Sequence, residues 1–242
     1  MLRLFLLMAV AMIAAPVAAA DPTGFVNKTF KNEDGHESPY VVYVPPTIDT
    51  SKPVPVMLFL HGAGETKGGS MMPIEQGLAP HIKRFEAKKA KFPFVVVIPQ
   101  AETRGWLSDG PNAKRAVAML DATMKEYNGD PKRTYLTGLS MGGFGTWSLA
   151  AAFPDRWAAI VPICGAGKAE WAEKIKDIPC WVFHGVEDKA VNVKGSRDMV
   201  EALKKAGGEP RYSEFPYAGH NSWDAAYSHE ELYPWLLSHT KK

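Results

Sequence analysis

Thr137-Gly138-Leu139-Ser140-Met141-Gly142-Gly143 is the stretch on which the fold turns. Arg133-Thr134-Tyr135-Leu136, just before it, is short, β-branched and aromatic, the composition of a buried strand. Phe144 to Phe153, just after it, is apolar and alanine-rich and reads as a helix. A G-x-S-x-G between a strand and a helix marks a sharp turn that lifts its serine above the sheet edge. Such a turn has no room for a side chain two residues before or after Ser140, so Gly138 and Gly142 suit it. Gly143 lets the helix approach the strand closely. Ser140 is then expected in a strained backbone conformation at a helix N-terminus, where developing negative charge is favoured.

A free hydroxyl is a weak nucleophile near neutral pH, so Ser140 needs a base, and the base needs a partner that fixes its tautomer. Downstream, the apolar run Trp181-Val182-Phe183 leads into His184-Gly185-Val186-Glu187-Asp188. The run ending at Phe215 leads into Pro216-Tyr217-Ala218-Gly219-His220. Asp188 and His220 thus each follow the carboxyl end of a strand, in the order serine, acid, histidine. Glu187 is the rival acid beside Asp188. His61 and His184 stand before glycines at strand ends, where a histidine more often bonds the backbone than reacts. His36, His81, His229 and His239 read as surface residues in a turn or on helices.

A serine attacking a carbonyl builds an oxyanion that needs fixed donors. One is expected from the Met141 N–H, next after the serine. The second is expected from the Ala63 N–H, in His61-Gly62-Ala63-Gly64 after the apolar strand Val54 to Leu60. That loop has neither G-x-G-x-x-G nor G-x-x-x-x-G-K spacing, which argues against a phosphate cradle. Trp106 and Trp223 fall in loops at the same edge and read as pocket walls.

Around this centre the chain alternates strands and helices. Phe25 to Lys31 and Tyr40 to Val44 read as an edge hairpin around Asn32-Glu33-Asp34-Gly35. Phe94 to Ile98, Ala159 to Cys164, Cys180 to Phe183 and Arg211 to Phe215 read as further strands. Pro80 to Lys91, Asn112 to Tyr127, Gly195 to Ala206 and Ala225 to Ser238 read as helices, the last bent at Pro234. The pattern predicts an α/β protein with a mostly parallel eight-stranded sheet covered by helices on both faces, its site at the carboxyl ends of the strands. Only Gly165 to Pro179 separate two of the strands beyond the serine, which leaves no room there for a cap domain.

Residues 1–20 read as a cleavable targeting segment. Arg3 precedes the apolar run Leu4 to Ile13, and Ala18-Ala19-Ala20 offers a cleavage site before Asp21. Residues 21–242 are then one catalytic domain, secreted or periplasmic in a bacterial setting, with no stable membrane insertion. The 242 residues are 46% hydrophobic and 22% charged, with a formal net charge of +2 that falls to about +1 without Arg3. That balance gives no reason to expect nucleic acid as a partner. No cofactor or metal is implied. The two cysteines, Cys164 and Cys180, end one strand and begin the next. They are expected at opposite ends of the sheet, too far apart for a disulfide, as free buried thiols.

Taken together, His61-Gly62-Ala63-Gly64-Glu65, Gly138-Leu139-Ser140-Met141-Gly142-Gly143, His184-Gly185-Val186-Glu187-Asp188 and Gly219-His220-Asn221 resemble the α/β-hydrolase superfamily. The chain looks most like its exported, lidless esterases: relatives of feruloyl and acetyl-xylan esterases, polyhydroxyalkanoate depolymerases and dienelactone hydrolases. The resemblance implies a serine esterase with Ser140, Asp188 and His220 as its triad, acting on short-chain, aromatic, carbohydrate-linked or polymer-linked esters. Dienelactone hydrolases generally carry a cysteine nucleophile, so the serine here argues against that activity. A prolyl-oligopeptidase-type peptidase, an acyltransferase and a catalytically dead binding module are the competing readings. Oligomeric state is not legible.

Overall fold

Gly24–Lys31 (β1) and Glu37–Val44 (β2) pair antiparallel around a tight turn. Gly35 takes the left-handed φ of +83° that the turn requires, and Asn32 N–H donates to the His36 carbonyl at 2.8 Å. The computed structural model to which this hairpin belongs describes residues 23–67, 69, 72–88 and 91–241. The targeting segment expected over residues 1–20 lies outside the described residues.

Val54–Leu60 (β3), Val95–Pro99 (β4), Gly129–Leu139 (β5), Ala159–Ile163 (β6), Trp181–Gly185 (β7) and Arg211–Phe215 (β8) complete the sheet. It has eight strands in the order β1-β2-β4-β3-β5-β6-β7-β8. β3 to β8 run parallel, and β2 joins β4 antiparallel. The helices are Leu78–Ala87 (α1), Pro111–Glu126 (α2), Met141–Ala152 (α3), Ala172–Ile175 (α4), Lys194–Lys205 (α5), Trp223–Tyr227 (α6) and Leu232–Leu237 (α7).

The central strands are apolar on both faces because both are covered. In β3, Val56, Leu58 and Leu60 face a core built with α2, α3, α4 and α5, including Leu120, Trp147 and Met199. Met57 and Phe59 face a second core built with α1, α6 and α7, including Ile82, Tyr227 and Leu236. Each such side chain contributes about 1.5–3 kcal/mol relative to exposure. These two cores hold the sheet, and with it the strand ends that carry the candidate site.

Several expectations need correction. The last helical stretch is not one helix bent at Pro234. It is α6 and α7, separated at Ser228–Glu231, and Pro234 is the third residue of α7. There its missing N–H needs no partner, so proline is tolerated and the break falls before it. His81 is not on the surface. It is 8% exposed and stacks on Tyr233 with ring centroids 5.7 Å apart. Burial, with Arg84 nearby, pushes its pKa down to about 4. The cysteines are free and buried, as expected, with Cys164 beyond the end of β6 and Cys180 bridging to Ile160 near its start. Between β6 and β7 the chain forms a turn at Ala169–Trp171 and then α4, which packs against α3 and α5 on the flank of the sheet. It does not roof Ser140.

Candidate active site

β5 ends at Leu139 and α3 begins at Met141, so Ser140 alone makes the turn. Its φ of +52° is rare for a residue with a side chain and is the strain the motif predicts. The glycines explain how the turn survives. A Cβ on Gly138 would stand 2.4 Å from the Gly142 carbonyl oxygen, and one on Gly142 would stand 1.9 Å from the Leu60 carbonyl oxygen. Gly142→Ala is therefore expected to cost more than ~2 kcal/mol, because backbone and not a flexible side chain would have to move. Urea unfolding of the variant checks this, and a stability equal to the parent would contradict it. A Cβ on Gly143 would meet the Ile163 carbonyl at 2.3 Å, which is the close helix–strand approach read from the sequence. Ser140 N–H donates to the Ile163 carbonyl at 3.0 Å and to Cys164 Sγ at 3.3 Å, tying the turn to the end of β6.

Three strand ends bring the polar side chains together. Ser140 Oγ lies 2.9 Å from His220 Nε2, and His220 Nδ1 lies 2.7 Å from Asp188 Oδ2. The carboxylate accepts at Nδ1, so the proton sits there and the Nε2 lone pair faces the serine hydroxyl. Asp188 Oδ1 accepts the N–H groups of Ala190 at 2.8 Å and Val191 at 2.9 Å. Burial works against the Asp188 charge, but His220 and these two donors outweigh it and hold the carboxyl below its usual range. Glu187 points to solvent, so the Asp188 carboxylate, not its neighbour's, meets the histidine.

Ala63 and Met141, the expected oxyanion donors, both line a groove of about 420 Å³ that opens at Ser140. Met141 is the first residue of α3, so its N–H has no partner within the helix. Ala63 begins a single helical turn, Ala63–Glu65, beside the buried Glu65, whose carboxyl is raised by burial. Arg104, Trp106, Leu107 and Phe144 complete the groove's walls. Leu107 and Phe144 are 55% and 38% exposed, large apolar groups left in the open beside the serine.

Trp106 is almost fully buried. Its Nε1–H donates to the His61 carbonyl at 3.0 Å, and Gly145 leaves space for it, since a Cβ there would stand 2.3 Å from Trp106 Cβ. Trp223 differs from the expectation. It is 8% exposed, belongs to the α1–α6–α7 core, and borders a separate recess with Glu75, Asn221 and Asp224. Because α6 starts at Trp223, its ring is drawn inward, edge-on to His220 at 5.3 Å, and does not wall the groove at Ser140. Residue spacing places a tryptophan beside the base but gives no side for its ring.

His61 and His184 bond within the fold, as expected. His61 Nδ1 lies 2.6 Å from the Gly62 carbonyl, its Nε2 accepts Ala101 N–H at 3.0 Å, and burial pushes its pKa down to about 4. Cys164 Sγ gathers with Asp188 and His220 within 4.8 Å. The donor set does not suit a metal: burial pushes the Cys164 thiol up to about 12, and Asp188 and His220 are already spent on hydrogen bonds. The sequence marks Cys164 only as a buried thiol, and Leu107 and Phe144 not at all as groove walls. Cys164 ends an apolar run like many core residues, and the other two stand out only once the turn beside them is placed.

The sheet order, the strand ends and the turn at Ser140 are those of the α/β-hydrolase fold. Residues 108–226 match the model of the dienelactone hydrolase family. It is 28% identical over 193 residues to a bifunctional acetylxylan esterase/xylanase of Neocallimastix patriciarum, covering 76% of this chain and 27% of that protein. It is 29% identical over 124 residues to poly(3-hydroxyalkanoate) depolymerase C of Paucimonas lemoignei, covering 46% of this chain and 28% of that one. Among solved structures, a thermostable esterase is similar with a TM-score of 0.79 and 33% identity, covering 89% of this chain and 63% of that one. The chain thus spans about a quarter of the length of these curated relatives.

Proposed function

We propose that the protein is a serine carboxylic ester hydrolase that works through an acyl-enzyme. The observation that carries this reading is the continuous hydrogen-bond chain Ser140–His220–Asp188 at the mouth of an open apolar groove. In this reading Ser140 Oγ attacks the ester carbonyl carbon as its proton passes to His220 Nε2. The carbonyl oxygen becomes an oxyanion facing the N–H groups of Ala63 and Met141. Collapse breaks the bond to the alcohol oxygen, which takes the proton from His220. Water then attacks the acyl-enzyme by the same route, releasing the acid and restoring Ser140. The names of the similar proteins support esters of carbohydrates and polyesters as the substrate range. The apolar segment at residues 4–13 supports export. Among the described residues no helix is long and apolar enough to cross a membrane.

The test is a hydrolysis panel of short and long aryl esters, methyl ferulate, acetylated xylan, an aliphatic polyester and a peptide amide. Turnover of the amide alone would overturn the ester reading in favour of a peptidase.

The open groove sets an expectation for acyl length. A buried methylene contributes about 0.8 kcal/mol only where water is excluded. With α4 on the flank, no element among the described residues closes over an extended acyl chain. kcat/KM is expected to peak between acetyl and butyryl esters, to fall for dispersed palmitoyl esters, and not to rise at an oil–water interface. Preference for palmitoyl with interfacial activation would contradict the open site. Aromatic esters are expected to pack on Phe144 and Leu107 instead of Trp223. Phe144→Ala should lower kcat/KM for an aromatic ester by about 5- to 20-fold while sparing an acetyl ester, the scale of one lost aromatic contact. An equal effect on both esters would remove Phe144 from the specificity argument.

A further inference from the structure

His184, next to last in β7, has no exposed surface, and the proposed reaction leaves it unused. Its Nε2 faces two oxygens, the Val191 carbonyl at 3.0 Å and Asp188 Oδ2 at 3.3 Å. Neither donates while Asp188 is ionised, so Nε2 carries the ring's hydrogen. Its Nδ1 lies 2.7 Å from Ser196 Oγ on α5, and Ser196 also reaches the Gly165 carbonyl at 3.1 Å. The ring is pinned between a strand, a helix and the loop that carries Asp188. Val191 is held twice: its N–H donates to Asp188 Oδ1 and its carbonyl accepts from His184.

Asp188 Oδ2 is hydrogen-bonded to His220 at 2.7 Å, and His184 Nε2, bonded to the Val191 carbonyl, stands 3.3 Å from the same oxygen. Burial lowers the pKa of His184 and outweighs the Val191 carbonyl and Asp188, so the ring is the neutral donor. Its other titratable neighbours are His220 across the carboxylate and Glu214, its partner in register on β8. Glu214 is neutralised by Arg197 of α5 at 2.6 Å.

We propose that His184 is a positioning residue for the acid of the triad. Its Nε2–H fixes the loop 188–191 and shares the Asp188 Oδ2 lone pairs, which limits how much of the carboxylate's charge is free to stabilise protonated His220. The proposal rests on the triad reading, but its test does not require turnover.

The sign follows from competition for one oxygen. Removing the His184 donor leaves more carboxylate charge for the imidazolium, so His220 holds its proton to higher pH. The measurement is the protonation midpoint of the His220 ring, followed by NMR in the full chain carrying Ser140→Ala, with and without changes at His184. His184→Leu should raise the midpoint by about half to one pH unit, the worth of one ordinary hydrogen bond expressed as a pKa difference. His184→Gln keeps an N–H donor at similar reach and should stay at the parental midpoint. His184→Phe repeats the removal with ring volume retained, should the leucine variant fail to fold. An unchanged or lowered midpoint in both, or loss of folding in both, would make His184 a structural residue and overturn the proposal. With Ser140 intact, the acid limb of ester hydrolysis should move up with the midpoint. A shifted midpoint in a protein that turns over no ester would leave this inference standing and remove only the esterase reading.

Discussion

Ser140→Ala is expected to abolish ester hydrolysis and leave the protein folded. Loss of a triad nucleophile lowers turnover on the order of 10⁶-fold, because the acyl group is carried on Ser140 Oγ. Cys164 is a second nucleophile type beside the turn, but it is fully buried and burial keeps its thiol protonated, with a pKa of about 12. The fold should tolerate the change. The substitution removes one hydrogen bond from a half-exposed side chain, Ser140 Oγ to His220 Nε2. The backbone bonds of residue 140 to Ile163 and Cys164 do not involve the side chain. Alanine also bears the positive φ at little more cost than serine. Initial rates on an aryl acetate, with thermal unfolding alongside, separate the two effects. Residual activity above a few percent with an intact fold would move the nucleophile away from Ser140.

What could be read in the sequence was whatever leaves a local signature. The turn at Ser140 is encoded by glycines whose side chains would strike backbone, and the parallel sheet by strands apolar on both faces. The convergence of Asp188 and His220 on Ser140 followed from the rule that parallel strands end at one edge. Side-chain direction has no such signature. Trp106 and Trp223 were equivalent as loop tryptophans, yet one borders the groove and the other is drawn into the opposite core by the start of α6. His81 reads as a surface residue on a helix, and His184 as a strand-end residue bonded to the backbone. Their burial follows from the packing of α1 on α6 and of α5 on β7, which are contacts between segments distant in sequence. The break before α7 has no signature either, because a proline that fits a bend within one helix fits equally the first turn of another.

Asp188→Asn is expected to lower kcat by about 10⁴-fold, the scale of tautomer loss in serine proteases, and Glu187→Gln to have little effect. The hydrogen bonds around Asp188 give the reason. Oδ1 is held by two donors, the N–H groups of Ala190 and Val191. In the asparagine variant the amide oxygen must take that place, which turns the amide NH₂ toward the site of Oδ2. There it meets His220 Nδ1 and His184 Nε2, both of which carry hydrogens toward an acceptor in the parent. Donor faces donor. His220 relieves the clash by moving its hydrogen to Nε2, and the atom that should take the proton of Ser140 then has no lone pair to offer. Glu187 makes no comparable contact: its side chain is exposed, and its backbone N–H donates to Ala218 in either variant. The comparison is made on kcat for one short aryl ester, with unfolding monitored so that a destabilised loop is not mistaken for lost catalysis. A mild Asp188→Asn beside a severe Glu187→Gln would transfer the acid to Glu187, and would require the loop 186–191 to rearrange when substrate binds.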